Sequence, residues 1–223
     1  MRFQDAARDG RAVVYAGIQA DPLVARAADH LAEATHAERV MARAVMNGES
    51  TDRATWMAMF PTLVGPATDP AARVRAEAVL TVALEVAERG EAVRSQFRGA
   101  IVEELTTRLL ARRVGAHAIR RERRILFDGV RAEIHPYDVT VERDGGPEAY
   151  DCKWGARGIS DDVLHQLDDA RSHAADEGEA LRVALVVFDA DRSCDVRLAR
   201  STAPTSATTV ISLETLDRLA TAP

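Results

Sequence analysis

The segment AYDCKWGARG, residues 149–158, contains Lys153, the single lysine in a chain of 223 residues. The other 28 basic residues are all arginine. Arginine presents a rigid, planar guanidinium, whereas lysine presents a compact charge on a flexible stem. A lone lysine therefore indicates a position where a guanidinium does not serve. The alternative is a surface lysine that has persisted by chance.

The residues around Lys153 indicate a strand with two different faces. Alternate residues of a strand share one face of a sheet, so Asp151 and Lys153 are expected together, roughly 7 Å apart along the strand. The opposite face would be the more apolar one and would pack on a helix; it consists of Tyr150, Cys152 and Trp154.

A second acidic residue, Asp138, interrupts the otherwise apolar run YDVTV of the preceding predicted strand. If the two strands pair as a hairpin, Asp138 lies beside Asp151. Two neighbouring carboxylates on a buried sheet repel each other unless a cation or a proton separates them. The pattern therefore predicts a cation site, and a salt-bridge network of these two acids with Lys153 and a nearby arginine is the structural alternative.

The remainder of the chain from residue 96 onward alternates between helical and strand patterns. The run 96–113 is predicted to be a helix, and Asp-Gly and Asp-Gly-Gly turns separate three strands near 117–127, 131–142 and 148–154. Ser160 is the predicted N-cap of a further helix that ends at Gly178. The apolar run LRVALVVF is typical of a strand buried on both faces, and TTVISL predicts one more strand before a short final helix.

Residues 1–92 are predicted to form a separate, all-helical region. Asp-Pro pairs at 21–22 and 69–70 are helix-start signals, while Asn-Gly at 47–48 and Gly90 are stop signals. We expect this region to bind a protein partner or to form a homodimer.

The composition narrows the class of protein. The chain is 47% hydrophobic and 29% charged, which suffices for a folded core, and its formal net charge is −6. A nucleic-acid-binding surface would therefore have to be local. The two cysteines, Cys152 and Cys194, have neither metal-ligand spacing nor a disulfide framework, and no apolar run approaches the length of a membrane span. We expect a protein of the reducing cytoplasm with no membrane partner.

The order of these elements resembles the PD-(D/E)XK nuclease superfamily, whose fold is called restriction-endonuclease-like. The resemblance covers about residues 96–190: Asp138 matches the first acid of the motif, Asp151 the second and Lys153 the lysine. The sequence departs from the motif at one position: the residue directly before Asp138 is Tyr137, and the proline, Pro136, lies one residue earlier. The resemblance implies an α/β fold in which residues 96–223 form a nuclease-like domain with an αβββαβ core, preceded by the helical region.

The resemblance also implies functional residues on the two helices. The first helix of the superfamily commonly carries a glutamate four residues after a glycine, as Glu103 follows Gly99, but Glu104 is adjacent and only one of the two can face the sheet squarely. The spacing favours Glu103, and a solvated helix face is the alternative. Gln166 falls where some branches carry a glutamine near the active site; a solvent-facing glutamine is the alternative.

The implied activity is hydrolysis of phosphodiester bonds, with DNA as the expected substrate and Mg²⁺ or Mn²⁺ as the cofactor. Magnesium prefers hard oxygen ligands and keeps several waters. The expected protein ligands are Asp138, Asp151, Glu103 and the backbone carbonyl of Cys152. The neighbouring carboxylates should keep Lys153 protonated, so we expect it to orient the attacking water and neutralise transition-state charge.

An arginine-rich stretch offers the local positive charge that DNA binding needs. Between residues 108 and 124, seven arginines stand against the single acid Glu122. The residues expected to contact phosphates are Arg112, Arg113, Arg120, Arg121, Arg123 and Arg124. The alternative is that they keep a helix end and a strand soluble. The competing functions are a catalytically inactive nuclease fold that binds nucleic acid, and an adaptor whose helical region binds a partner.

Overall fold

The computed structural model describes residues 1–6, 10–131, 135–144, 146–205 and 208–221, with the backbone alone at 11, 12 and 131. The chain divides into two compact units, Gly10–Leu105 and Met1–Asp9 with Thr106–Pro223. The described part is rich in helix and contains a mixed β-sheet, so the predicted α/β class is confirmed. No helix in these ranges is both long and apolar enough to cross a membrane.

The first unit, Gly10–Leu105, is helical wherever it has regular structure. Its helices are α1 (Gly10–Gln19), α2 (Pro22–Glu33), α3 (His36–Asn47), α4 (Arg53–Met59), α5 (Pro61–Val64), α6 (Pro70–Ala87) and the first part of α7 (Glu91–Val114). The predicted N-caps Asp21 and Asp69 both accept hydrogen bonds from the first turn of their helices. The segment between residues 21 and 48 is two helices, because Thr35 forms a capping box with Glu38 and starts α3.

The second unit is built around the sheet. Its first strand, β1 (Arg2–Asp5), precedes the helical unit in the chain. The elements that follow α7 are β2 (Ile119–Phe127), β3 (Val130–Arg131), β4 (Tyr137–Val141), β5 (Glu148–Lys153), α8 (Asp161–Asp176), β6 (Arg182–Val187), α9 (Asp191–Leu198) and β7 (Thr209–Ile211). The strand order is β1-β2-β4-β5-β6-β7, and β3 pairs with β2. Strands β1, β2, β4 and β5 pair antiparallel, whereas β5, β6 and β7 pair parallel. Helices α8 and α9 provide the connections that parallel neighbours require.

Several predicted boundaries differ from the structure. Strand β1 falls within the predicted helical region 1–92 but pairs with β2 of the sheet unit, from Arg2 opposite Leu126 to Asp5 opposite Arg123. The helix predicted at 96–113 begins earlier, at Glu91, and α9 was not predicted. Residues 132–134 of the strand predicted at 131–142, and Gly145 of the following turn, lie outside the described residues.

Helices cover both faces of the sheet at β5. On one face, Leu164 and Leu167 of α8 share a buried apolar cluster with Ala149 of β5 and Leu185 of β6. On the other face, Cys152 contacts Thr106 at the carboxyl-terminal part of α7. Strand β5 is therefore buried between two helical layers, so its three charged residues, Glu148, Asp151 and Lys153, need partners within the fold.

Candidate active site

The three residues of the predicted motif lie where β4 begins and β5 ends. Val139 pairs with Tyr150, and Asp138 and Asp151 are the next residues on the two strands. Asp138 Oδ2 accepts a hydrogen bond of 2.6 Å from the backbone N–H of Cys152. Lys153 Nζ forms an ion pair with Asp151 Oδ1. The structure therefore brings Asp138, Asp151 and Lys153 together.

The side-chain alternation of β4 breaks at Asp138. Tyr137 faces α8, because its hydroxyl donates to the Gln166 carbonyl. Val139 faces α7, because it pairs with Tyr150, and the Tyr150 hydroxyl accepts from Arg113 on α7. Residues two apart on β4 thus lie on opposite faces, although they would normally share one. Backbone N–H groups of a strand point sideways toward its neighbour, so the Asp138 carboxylate lies between β4 and β5.

Strand β2 departs from regular geometry at the same level. Its pairs with β4 are Arg121 with Val139 and Arg123 with Tyr137, on either side of Glu122. Glu122 has a φ of 52°, a left-handed conformation that is uncommon for a residue with a side chain. Unusual backbone conformations of this kind cluster at functional sites. The irregularity marks the start of β4 as a candidate site independently of the sequence motif.

The backbone of Cys152 presents its carbonyl to the same side of β5 as Asp138. The Lys153 carbonyl accepts from the N–H of Phe188, which follows β6. Neighbouring residues of a strand point their N–H and C=O groups in opposite directions, so those of Cys152 point toward β4. The Cys152 side chain is directed elsewhere, since its Sγ lies 3.5 Å from the Thr106 hydroxyl.

Lys153 is held in its charged form. Burial alone would lower the pKa of the Lys153 ammonium, but the charges of Asp151 and Asp138 and the hydrogen bond to Asp151 outweigh burial and raise it. The Asp151 side chain is only 5% exposed, whereas the Lys153 side chain is 27% exposed. An ammonium with a raised pKa cannot serve as a free base at neutral pH, so Lys153 can act as a donor and a positive charge.

Gln166 is buried and holds the chain that leads into β4. Its side chain is 2% exposed, donates to the His135 carbonyl at 3.1 Å and accepts from the His135 N–H at 3.0 Å. The alternative of a solvent-facing glutamine is therefore wrong. Gln166 fixes the backbone three residues before Asp138.

Glu103 lies on α7 in the helical unit, where it is 4% exposed. Its two carboxylate oxygens accept hydrogen bonds of 2.5 Å from the Tyr15 hydroxyl and 2.7 Å from the Gln19 amide. The alternative that Glu103 lies on a solvated helix face is therefore wrong. Its neighbour Glu104 is half-buried. The role of Glu103 as a metal ligand stays a prediction.

The six predicted phosphate-binding arginines have different surroundings. Arg112 and Arg120 are exposed, and Arg121 and Arg124 are half-buried. Arg113 is half-buried, with its side chain 7% exposed, and binds both oxygens of Glu148 at 2.8 and 2.6 Å. Its guanidinium is therefore committed to this pair, and its predicted contact with a phosphate stays a prediction.

Arg123 is similarly committed to the protein. It pairs with Glu142 at 2.6 Å and with Asp5, and its side chain is 14% exposed. Arg120 and Arg121 also have protein partners, since Arg120 donates to the His117 and Ile119 carbonyls and Arg121 to the Thr107 hydroxyl. The phosphate contacts of the six arginines stay predictions.

Asp189 was not predicted, although it supports the chain that follows Lys153. It stands directly after the apolar run of β6, where a buried polar residue is a detectable sequence signal. Its Oδ2 accepts from the Ala156 N–H at 3.0 Å and its Oδ1 from the Ala190 N–H at 2.9 Å. Asp189 thereby ties the loop after β5 to the end of β6.

The oxygen atoms at the site suit a hard cation. Two carboxylates and the Cys152 carbonyl offer oxygens of the kind that Mg²⁺ binds together with several waters. Within the described ranges, no cluster of three or more His, Cys, Asp or Glu side chains could hold a metal ion. The chain matches no protein-family model, no curated protein and no solved structure.

Proposed function

We propose that the protein is a metal-dependent nuclease that hydrolyses phosphodiester bonds in DNA, with its active site at the start of β4 and the end of β5. The observation that carries the proposal is the ion pair of the single lysine, Lys153, with Asp151 beside the carboxylate of Asp138. Two acids and a charged lysine on adjoining strands provide both cation ligands and a donor to a phosphate oxygen.

The element order of the sheet unit supports the same proposal. A helix, the antiparallel strands β2, β4 and β5, the helix α8 and the parallel strand β6 follow one another. We propose that these elements form the αβββαβ core of the PD-(D/E)XK superfamily, which the motif in the sequence resembles.

Each group at the site would have a defined part in the reaction. Asp138, Asp151 and the Cys152 carbonyl would hold Mg²⁺ or Mn²⁺, which when bound polarises a phosphate and lowers the pKa of a coordinated water. Lys153, charged at neutral pH, would donate to the attacking water or a phosphate oxygen and offset the negative charge that develops in the transition state.

The arginines that remain accessible would bind the DNA backbone. Arg112 and Arg120 are exposed and belong to the end of α7 and the start of β2. Binding through several phosphate contacts weakens steeply as the salt concentration rises. We therefore expect salt-sensitive DNA binding despite the net negative charge of the whole chain.

The test is cleavage of plasmid and single-stranded DNA in Mg²⁺, Mn²⁺, Ca²⁺ and EDTA. We expect cleavage in Mg²⁺ and Mn²⁺ but not in Ca²⁺, which is larger and positions its ligands more loosely. Asp138→Asn and Asp151→Asn should abolish cleavage and weaken Mg²⁺ binding in calorimetry. The exposed Asp144→Asn is the matched control and should change neither.

Two results would contradict the proposal. Equal cleavage in EDTA and Mg²⁺ would exclude a metal mechanism. DNA binding with no cleavage under any of the metal conditions would favour the alternative of an inactive nuclease fold.

A further inference from the structure

The loop that follows β5, residues 154–158, is folded back and anchored at several points. The Trp154 ring stacks on Phe188, with ring centres 5.0 Å apart and planes inclined by 28°. The Ala156 N–H donates to buried Asp189. These contacts fix the loop against the end of β6, and the loop ends at Gly158.

Gly158 packs directly on the aliphatic stem of Lys153. A Cβ atom placed on Gly158 would lie 2.9 Å from each of Cβ, Cγ and Cδ of Lys153. Non-bonded carbon atoms attract each other best at about 3.5–4.0 Å, so any side chain here would collide with the stem. Gly158 has no positive φ, and the glycine is therefore required by close approach and not by backbone conformation.

The contact restrains a side chain that would otherwise be mobile. Lysine has four rotatable side-chain bonds and loses much rotamer freedom when it is fixed. The Asp151 carboxylate fixes the Nζ end of Lys153, while the Gly158 backbone limits where the stem can lie. The two contacts together define one position for the ammonium.

We propose that Gly158 is a positioning residue, whose missing side chain lets the Lys153 stem lie across the anchored loop and holds its ammonium beside Asp151. The inference rests on the proposed nuclease function for its catalytic consequence, but the positioning itself can be measured without any activity.

The single lysine makes the positioning directly observable. In protein labelled with ¹³C-lysine, only Lys153 contributes side-chain signals. A held side chain should give two distinct Hε protons with shifts away from those of an unstructured lysine. In Gly158→Ala these signals should converge and move toward the unstructured values.

The matched control is Gly17→Ala, because a Cβ on Gly17 meets nothing within 4 Å and the residue lies inside α1. Alanine is favoured over glycine there, so stability should not fall and the lysine signals should stay unchanged. DNA cleavage should fall about 10²-fold in Gly158→Ala, as a misplacement of about 1 Å can cause, and should be unchanged in the control.

A double-mutant cycle separates the Lys153 contact from a general folding defect. Gly158→Ala should lower the urea midpoint of the wild-type chain, and this loss should shrink in the Lys153→Ala background, where Cγ and Cδ are removed and only Cβ remains. A Gly158→Ala protein with wild-type lysine signals, or one destabilised equally in both backgrounds, would overturn the proposal. Displaced lysine signals in a chain that never cleaves DNA would support the positioning and contradict the proposed function instead.

Discussion

Strand β5 carries two acid–base clusters, one at each end, and they are built differently. At its start, Glu148 binds Arg113 through both carboxylate oxygens and accepts a hydrogen bond from the Tyr150 hydroxyl. At its end, Asp151 binds Lys153 through a single oxygen. The Arg113 and Glu148 side chains are 7% and 2% exposed, whereas the Lys153 side chain is 27% exposed.

The difference shows what each basic side chain contributes. A planar guanidinium can bind both oxygens of a buried carboxylate at once, which suits a cluster whose part is to stabilise the fold. An ammonium is a point charge with three rotatable donors, so it can bind one carboxylate oxygen and still donate to another group. The start of β5 is thus a closed pair, and the end is an open one that can accept a ligand.

Breaking the closed pair should produce the largest effect. Arg113→Ala removes the residue that binds both oxygens of buried Glu148 but leaves the Tyr150 hydroxyl and Arg143, whose guanidinium lies 3.2 Å from Glu148 Oε1. We therefore expect a loss of about 3 kcal/mol in the free energy of unfolding, the lower end of the cost of breaking a buried ion pair. Urea denaturation measures it. The neighbouring exposed Arg112→Ala serves as the control and should stay within about 0.5 kcal/mol of the wild type. Equal losses in the two variants would show that the buried pair has no special role.

Removing the Gln166 side chain should lower stability by less, and it should also affect the open pair at the end of β5. Gln166→Leu leaves the N–H and C=O of His135 without their side-chain partner, which should cost about 1–3 kcal/mol of stability. Because the same backbone leads to Asp138, cleavage should also fall at temperatures where the variant remains folded. The exposed neighbour His165→Ala should alter neither quantity. Unchanged cleavage in folded Gln166→Leu would show that the contacts of Gln166 with His135 do not position Asp138.

The smallest predicted effect is a pH dependence of the closed pair. Burial alone would raise the pKa of Glu148, but hydrogen bonds from Arg113 and Tyr150 and the Arg113 charge lower it below the ordinary value of a glutamate. A folded-state pKa below the unfolded value of about 4.3 means that the unfolded chain binds more protons. The stabilising contribution is therefore present above about pH 4.3 and is lost as the pH falls through the folded-state value. Glu148→Gln should flatten this part of the stability curve, and an unchanged slope would contradict the assignment.

The parts of the fold that depend on local chemistry were predictable from the sequence. Ser160 caps α8 by accepting from the Val163 N–H, and Gly178 after its end has a φ of 69°. Both features are specified within a few residues of the helix ends, where capping and glycine preferences act. The alternation of β5 likewise identified the face that carries Asp151 and Lys153.

The parts that depend on distant partners were not predictable. Strand β1 has four residues and no pattern of its own, and its partner β2 lies more than 100 residues later. The same holds for Arg113, whose predicted phosphate contact follows from the arginine-rich stretch around it. Its partner Glu148 is 35 residues away in sequence, so the pair is not visible in the local pattern. An arginine in a basic cluster and an arginine in a buried pair look identical until the fold brings the acid to it.

Exchanging the basic residue in each cluster tests the proposed active site. Lys153→Arg and Arg113→Lys are assayed side by side for DNA cleavage in Mg²⁺ and for stability in urea. Lys153→Arg keeps its charge but should clamp Asp151 with its fork, so cleavage should fall about 10²–10³-fold while stability and DNA affinity stay nearly unchanged. Arg113→Lys should lose stability and, where folded, cleave at the wild-type rate. Wild-type cleavage by Lys153→Arg would show that the single lysine does not form part of an active site.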